Sequence, residues 1–135
     1  MVDTNVIVDL LEGDGRWYEW SREALTDARV EGSVIASAVV LGELASRAAR
    51  FEELVEMLAT FGIACTDLGR AAAHRAGLAH LAYRAAGGQR EKLLGDFLIG
   101  AHAETLHATL LTRDPRRYRQ YFPDLTLITP ETDNG

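Results

Sequence analysis

Apolar runs of three to five residues recur along this chain, and each is set off from the next by a longer stretch with helical periodicity. The runs are Val34-Ile35-Ala36, Ile63-Ala64-Cys65-Thr66, Ala108-Thr109-Leu110-Leu111-Thr112 and Leu125-Thr126-Leu127-Ile128. Residues 1–4 read as a further, very short strand ahead of them. Between them the pattern predicts helices over Asn5 to Leu11, 16–29, Ala38 to Ala49, Phe51 to Phe61, Leu68 to Ala86, Leu94 to Leu106 and Pro115 to Tyr121. Ser37 and Asp67 stand as N-caps, and Gly62 as a helix stop. Strands joined by helical crossovers lie parallel, and a parallel sheet needs helices on both faces. The expected fold is therefore α/β. Ligands of such sheets bind outside the carboxyl ends of the strands.

At 135 residues the chain fits one domain, expected over residues 1–130, with 131–135 as a flexible tail. No apolar run approaches the roughly 18 residues that span a bilayer, and no basic segment leads an apolar one as in a signal peptide. The single cysteine, Cys65, reads as a small strand residue of a protein from a reducing cytoplasm. The formal net charge of -6 opposes nucleic-acid binding at long range. Bound cations would cancel part of it, and the positive charge is concentrated in Arg113-Asp114-Pro115-Arg116-Arg117-Tyr118-Arg119.

Four acids interrupt or end apolar stretches: Asp3, Glu43, Asp96 and Asp114. Singly, each has a plain explanation as a turn residue, an exposed helix residue or a helix-terminal acid. Together they fall at the carboxyl end of the predicted sheet, Asp3 and Asp114 just after strands, Glu43 and Asp96 on helices entered from that end. Converging carboxylates are costly unless a hard divalent cation is shared among them. Mg²⁺ or Mn²⁺ so held suits phosphodiester hydrolysis. Asp3 and Asp96 are the expected direct ligands. Glu43 serves as a ligand or orients water, and Asp114 serves a second ion or the water shell. Asn5 and Thr112 are placed to support a carboxylate or water by hydrogen bonds, with helix capping and β-propensity as their alternative uses. Binding of the cation should release protons and stabilise the fold.

The ordered set of motifs resembles the PIN domain, and more narrowly its VapC-type toxins. Val2-Asp3-Thr4-Asn5-Val6 is similar to the family's first motif, Ser37-Ala38-Val39-Val40-Leu41-Gly42-Glu43-Leu44 to its second, Asp96-Phe97-Leu98-Ile99-Gly100-Ala101-His102-Ala103 to its third, and Leu110-Leu111-Thr112-Arg113-Asp114 to its fourth. The ending, Tyr118-Arg119-Gln120-Tyr121-Phe122-Pro123 with Leu127-Ile128-Thr129-Pro130, resembles many members. The resemblance implies a three-layer α/β/α fold around a parallel sheet of about five strands. It also implies a Mg²⁺- or Mn²⁺-dependent endoribonuclease, homodimeric and held in check by a cognate antitoxin, with Asp3, Glu43, Asp96 and Asp114 as its acids. One departure is visible: only Met1 and Val2 precede the first acid, so the first strand is short.

Arg113 and Arg116, beside Asp114, are the expected contacts to RNA. Arg47, four residues after Glu43, has either that use or a surface ion pair. The segment from Gly87 to Lys92 reads as a polar connection. Trp17, Tyr18 and Trp20 fit core packing, base stacking or a partner's groove. His74, His80, His102 and His107 form no cluster and are read as non-catalytic. A haloacid-dehalogenase-type phosphatase would need a second Asp where Asn5 stands, and a receiver domain a late strand-end Lys, whereas Lys92 is the only lysine. A non-enzymatic RNA-binding module and a structure-specific DNA nuclease of the same superfamily remain as alternatives.

Overall fold

The N-terminal residues form the seam of the sheet. In this computed structural model, which describes residues 1–133, the Val2 amide donates to the Ile35 carbonyl (2.9 Å), the Asp3 amide to Leu111 (2.9 Å) and the Leu111 amide to Met1 (2.8 Å). Strand β1 (Val34–Ser37) pairs in parallel with β2 (Ile63–Thr66), Val34 opposite Ile63. Strand β3 (Leu110–Leu111) pairs in parallel with β4 (Leu127–Ile128). The spatial order is therefore β2, β1, residues 1–3, β3, β4. The expected first strand is reduced to one parallel bridge, Val2 with Leu111. Its shortness has a local cause, since Asp3 already caps the following helix by accepting from the Thr4 amide.

Helix α1 (Thr4–Glu12) ends at Gly13, whose φ of 75 closes the turn. It packs on α2 (Tyr18–Glu31). Helix α3 (Ala38–Glu43) follows β1 directly, with the Ser37 hydroxyl accepting from the Val39 amide as the sequence indicates. The helix stops at Glu43 instead of running to Ala49. Buried Leu44 turns the chain, and a 3-10 turn (Ala45–Arg47) replaces the rest. Glu43 and Arg47 thus do not share a helix face. Helix α4 (Phe51–Thr60) leads into β2. Helix α5 (Arg70–Ala85) starts from Gly69, not from Asp67. Strands β3 and β4 are shorter than the runs expected over 108–112 and 125–128.

Helix α6 (Gly95–Thr105) is buried nearly all round, with Phe97, Ile99, Ala101 and Ala103 out of water. It contacts α5 along its length and meets α7 (Arg116–Tyr121). Arg75 ties these three helices together. Its Nε donates to Glu104 (2.7 Å), its Nη2 to the Tyr121 carbonyl (2.9 Å), and its head lies on the Phe122 ring. Residues 130–133, partly assigned to a flexible tail, form the single turn α8 (Pro130–Asp133), and Glu131 accepts from Arg119 at 2.8 Å. Asn134 and Gly135 lie outside the described residues. Among those described, no helix is long and apolar enough to cross a membrane.

Candidate active site

Each of the four acids is delivered by a different element. Asp3 caps α1, Glu43 ends α3, Asp96 lies in the first turn of α6, and Asp114 follows β3 just before α7. All four line one cavity of about 370 Å³, together with Thr4, Asn5, Arg113 and Tyr118. Chain segments more than a hundred residues apart thus meet at the carboxyl end of the sheet.

Asp3 is the most enclosed of the four, only 7 % exposed. The Thr4 amide donates to Oδ1, and the hydroxyls of Thr112 and Tyr118 both donate to Oδ2, each at 2.8 Å. Burial raises its pKa above the ordinary carboxylate value. The three donors work the other way without overcoming burial, and Asp96 adds repulsion in the same direction. Tyr118 is pushed well above the usual phenol range by its own burial and by the Asp3 charge, so it remains a donor.

Asn5 and Thr112 bind the ends of this site together. Thr112 gives its proton to Asp3, accepts from Asn5 Nδ2 (3.2 Å) and accepts from the Asp114 amide (3.2 Å). Asn5 Oδ1 takes the Arg113 amide at 3.3 Å. Asp3 and Asp114 are therefore held in one frame by the two residues expected to support them. Glu43 is exposed, and the Thr4 hydroxyl donates to its Oε1 at 2.7 Å.

The arginines divide differently from expectation. Arg47 pairs with Glu12 at 3.0 Å and does not line the cavity. Arg113 lines it, but its Nε donates at 2.9 Å to Asp9, which also accepts from Ser21. Asp9 was missed in the sequence, although an acid on the apolar side of α1, among Val6, Ile7 and Leu10, is a legible signal of a buried partner. Arg116 extends into water with its side chain 93 % exposed, at 3.9 Å from Asp114. Arg117 was also missed. Its Nη1 donates to Asp96 Oδ2 at 2.7 Å, and its head sits over the rings of Tyr83 and Phe97. The histidines stay outside the site. His80 and His102 are buried, and Cys65 is half-buried with its thiol pKa raised by burial.

The donor set suits a hard cation, because every side chain aimed into the cavity from the acids presents carboxylate oxygen. Among the described residues, no three acids or imidazoles stand close enough to form a ready-made cation cage. Mg²⁺ keeps several waters and needs only one or two carboxylates directly. Burial disfavours the charge on Asp3, and Arg117 meets the charge on Asp96.

The PIN domain family model matches residues 1–123. Among solved structures, a chain of VapBC2 from Rickettsia felis, bound to a DNA fragment from its promoter, is similar at 23% identity and TM-score 0.67, covering 96% of each chain. A chain of VapBC-1 from nontypeable Haemophilus influenzae is similar at 21% identity and TM-score 0.68, again over 96% of each. A chain of a toxin–antitoxin complex from Klebsiella pneumoniae is similar at 22% identity and TM-score 0.66, covering 96% of this chain and 95% of that one. No curated protein matches the chain at a significant level.

Proposed function

This chain belongs to the PIN domain family of nucleases, and from that membership we propose that it is the toxin of a toxin–antitoxin pair, a Mg²⁺- or Mn²⁺-dependent endoribonuclease. The observation that carries the proposal is the meeting of Asp3, Glu43, Asp96 and Asp114 around one cavity. The antitoxin partner is inferred from the likeness to a chain of a toxin–antitoxin complex. A homodimer working in the cytoplasm, with residues 1–130 acting as one nuclease domain, completes the reading.

Asp3 and Asp96 would hold the ion, with Glu43 and Asp114 completing the acidic wall. When bound, the ion supplies charge relief at the phosphoryl oxygens and an acidified water. The chain's own residues do the positioning. Thr112 and Tyr118 keep Asp3 Oδ2 fixed, so Oδ1 and the remaining lone pairs set where a cation can sit. Thr4 keeps Glu43 turned toward the cavity, where its carboxylate is placed to accept a proton from water. Asn5, through Thr112 and the Arg113 amide, keeps Asp114 in register with Asp3. Arg116, exposed beside Asp114, meets the phosphate chain.

The test is cleavage of structured RNA and of DNA by the purified protein, with and without Mg²⁺ or Mn²⁺, beside Asp3→Asn and Asp96→Asn. The expected outcome is metal-dependent RNA cleavage reduced roughly a hundredfold or more by either change. RNA binding without cleavage would instead indicate an RNA-binding module, and cleavage restricted to branched DNA a structure-specific DNA nuclease.

A further inference from the structure

A second cavity of about 370 Å³ opens beside the acidic one and shares Asp96 and Asp114 with it. Its other walls are Arg116, Arg117, Gln120 and the two tyrosines Tyr83 and Tyr121. Where the first cavity gathers negative charge, this one adds two guanidinium groups and aromatic edges. Two carboxylates balance the two guanidinium groups in the free protein, and the balance turns positive, fit for an anion, once a cation takes Asp96.

Arg117 stands at the boundary between the two. Its Nη1 is 2.7 Å from Asp96 Oδ2, while its guanidinium carbon lies 5.5 Å from the Tyr83 ring centre and 5.8 Å from that of Phe97. Its side chain is 38% exposed, so the head can turn without unpacking the core. Arg116 has still more freedom, its one ion pair among the described residues being the long contact to Asp114. A cation taking Asp96 would displace the guanidinium from its partner, and the released charge would face the second cavity.

We propose that this second cavity seats a non-scissile phosphate of the RNA strand, and that Arg117 is a positioning residue serving both cavities in turn. It holds Asp96 in the free protein and turns to the phosphate, beside Arg116, once a cation takes Asp96. The inference rests on the nuclease reading for its ligand class, but binding measurements test it independently of cleavage. No bond is made or broken in the exchange. One carboxylate–guanidinium contact, Arg117 with Asp96, is traded for a carboxylate–cation and a guanidinium–phosphate contact, so metal and RNA should bind cooperatively.

Two titrations decide it. In the first, Mn²⁺ affinity of the RNA-free protein is measured by calorimetry for the parent and for Arg117→Ala. The expected result is several-fold tighter Mn²⁺ binding by the variant, because the competing guanidinium is gone. A merely structural Arg117, needed to hold Asp96 in place, would give weaker binding and overturn the proposal. In the second, a fluorescein-labelled single-stranded RNA is titrated in Ca²⁺, a hard cation with the same oxygen preference. Arg117→Ala should lose about tenfold in affinity, with a salt dependence flatter by roughly one phosphate. Unchanged affinity and salt slope would overturn the proposal. Should Arg117→Ala fail to fold, Arg117→Gln, which keeps the stem and removes the charge, takes its place in both titrations with the same expected and contradicting results. If both titrations come out as expected while the parent cleaves no RNA, the nuclease reading fails and the phosphate seat stands.

Discussion

Asp3 keeps a carboxyl group almost out of water, with three donors on it and Asp96 on the same cavity. Burial lifts its folded-state pKa above the ordinary value, so the folded chain holds that proton more tightly than the unfolded chain does. Between the ordinary value and the raised one, folding takes up a proton, and stability falls as pH rises through that window. Above it the loss is complete. Asp3→Asn removes the charge and keeps the shape, and the Tyr118 hydroxyl can turn to accept from the new amide while Thr112, which already accepts from Asn5 and Asp114, goes on donating. In EDTA at pH 7, the variant should melt higher than the parent. The gap should close as pH falls toward the ordinary Asp range, about 4. A variant that melts lower at pH 7 would show that Asp3 is well accommodated without a cation. The acid itself was legible, because it ends an apolar run. Its donor Tyr118 was not, since nothing local in Arg117-Tyr118-Arg119 says that this ring turns inward to a residue 115 positions away.

At the scale of elements, α6 sets the site through two glycines that do different jobs. A methyl group on Gly100 would come within 2.7 Å of the Phe122 ring and 3.1 Å of the Tyr118 ring, both buried. Gly100→Ala should therefore cost about 1–3 kcal/mol in a denaturant melt, because packed rings must shift to admit it. A methyl on Gly95 would meet only Glu43, at 2.7 Å from Oε2, and that carboxylate is the free end of an exposed side chain. Gly95→Ala should leave the melt within about 0.5 kcal/mol of the parent and lower metal-dependent cleavage, since Glu43 is pushed from its bond with Thr4. Equal effects of both changes on stability would mean that Glu43 is not free to move. The alternation of strands and helices was legible here, as were Ser37 as a cap and the helix that carries Asp96. The end of α3 was not. Ala45-Ser46-Arg47 continues a helical pattern by composition, and what breaks it is Leu44 turning into the core. Helix propensity is a weak prior against one fully buried side chain.

Across the whole molecule, two cavities share Asp96 and Asp114. Asp3, Glu43 and Arg113 join them in one, and Arg116 and Arg117 in the next. The cation-rich stretch 113–119 was visible as composition, but composition could not divide it. Arg113 turns back to Asp9, Arg117 to Asp96 and Arg119 to Glu131, which leaves Arg116 as the one of the four held only by a 3.9 Å contact. Gathering acids on one cavity without a cation makes the fold carry their repulsion, so a cation that binds only the folded chain must stabilise it. Mn²⁺ at a hundred times its dissociation constant should add about 2.7 kcal/mol, a rise in melting temperature of roughly 8–12 °C. Asp96→Asn should lose most of that rise, and a parent melt unmoved by Mn²⁺ would contradict the reading.

The central claim is that acids from separate segments meet around one cavity, where Asp3 and Asp96 take a divalent ion. Anomalous diffraction from a crystal soaked in Mn²⁺ tests it most directly. A peak within coordination distance of Asp3 and Asp96, with Arg117 turned off Asp96, is the predicted result. A cavity with no peak between those two carboxylates, in a crystal that binds Mn²⁺ elsewhere or not at all, would contradict it.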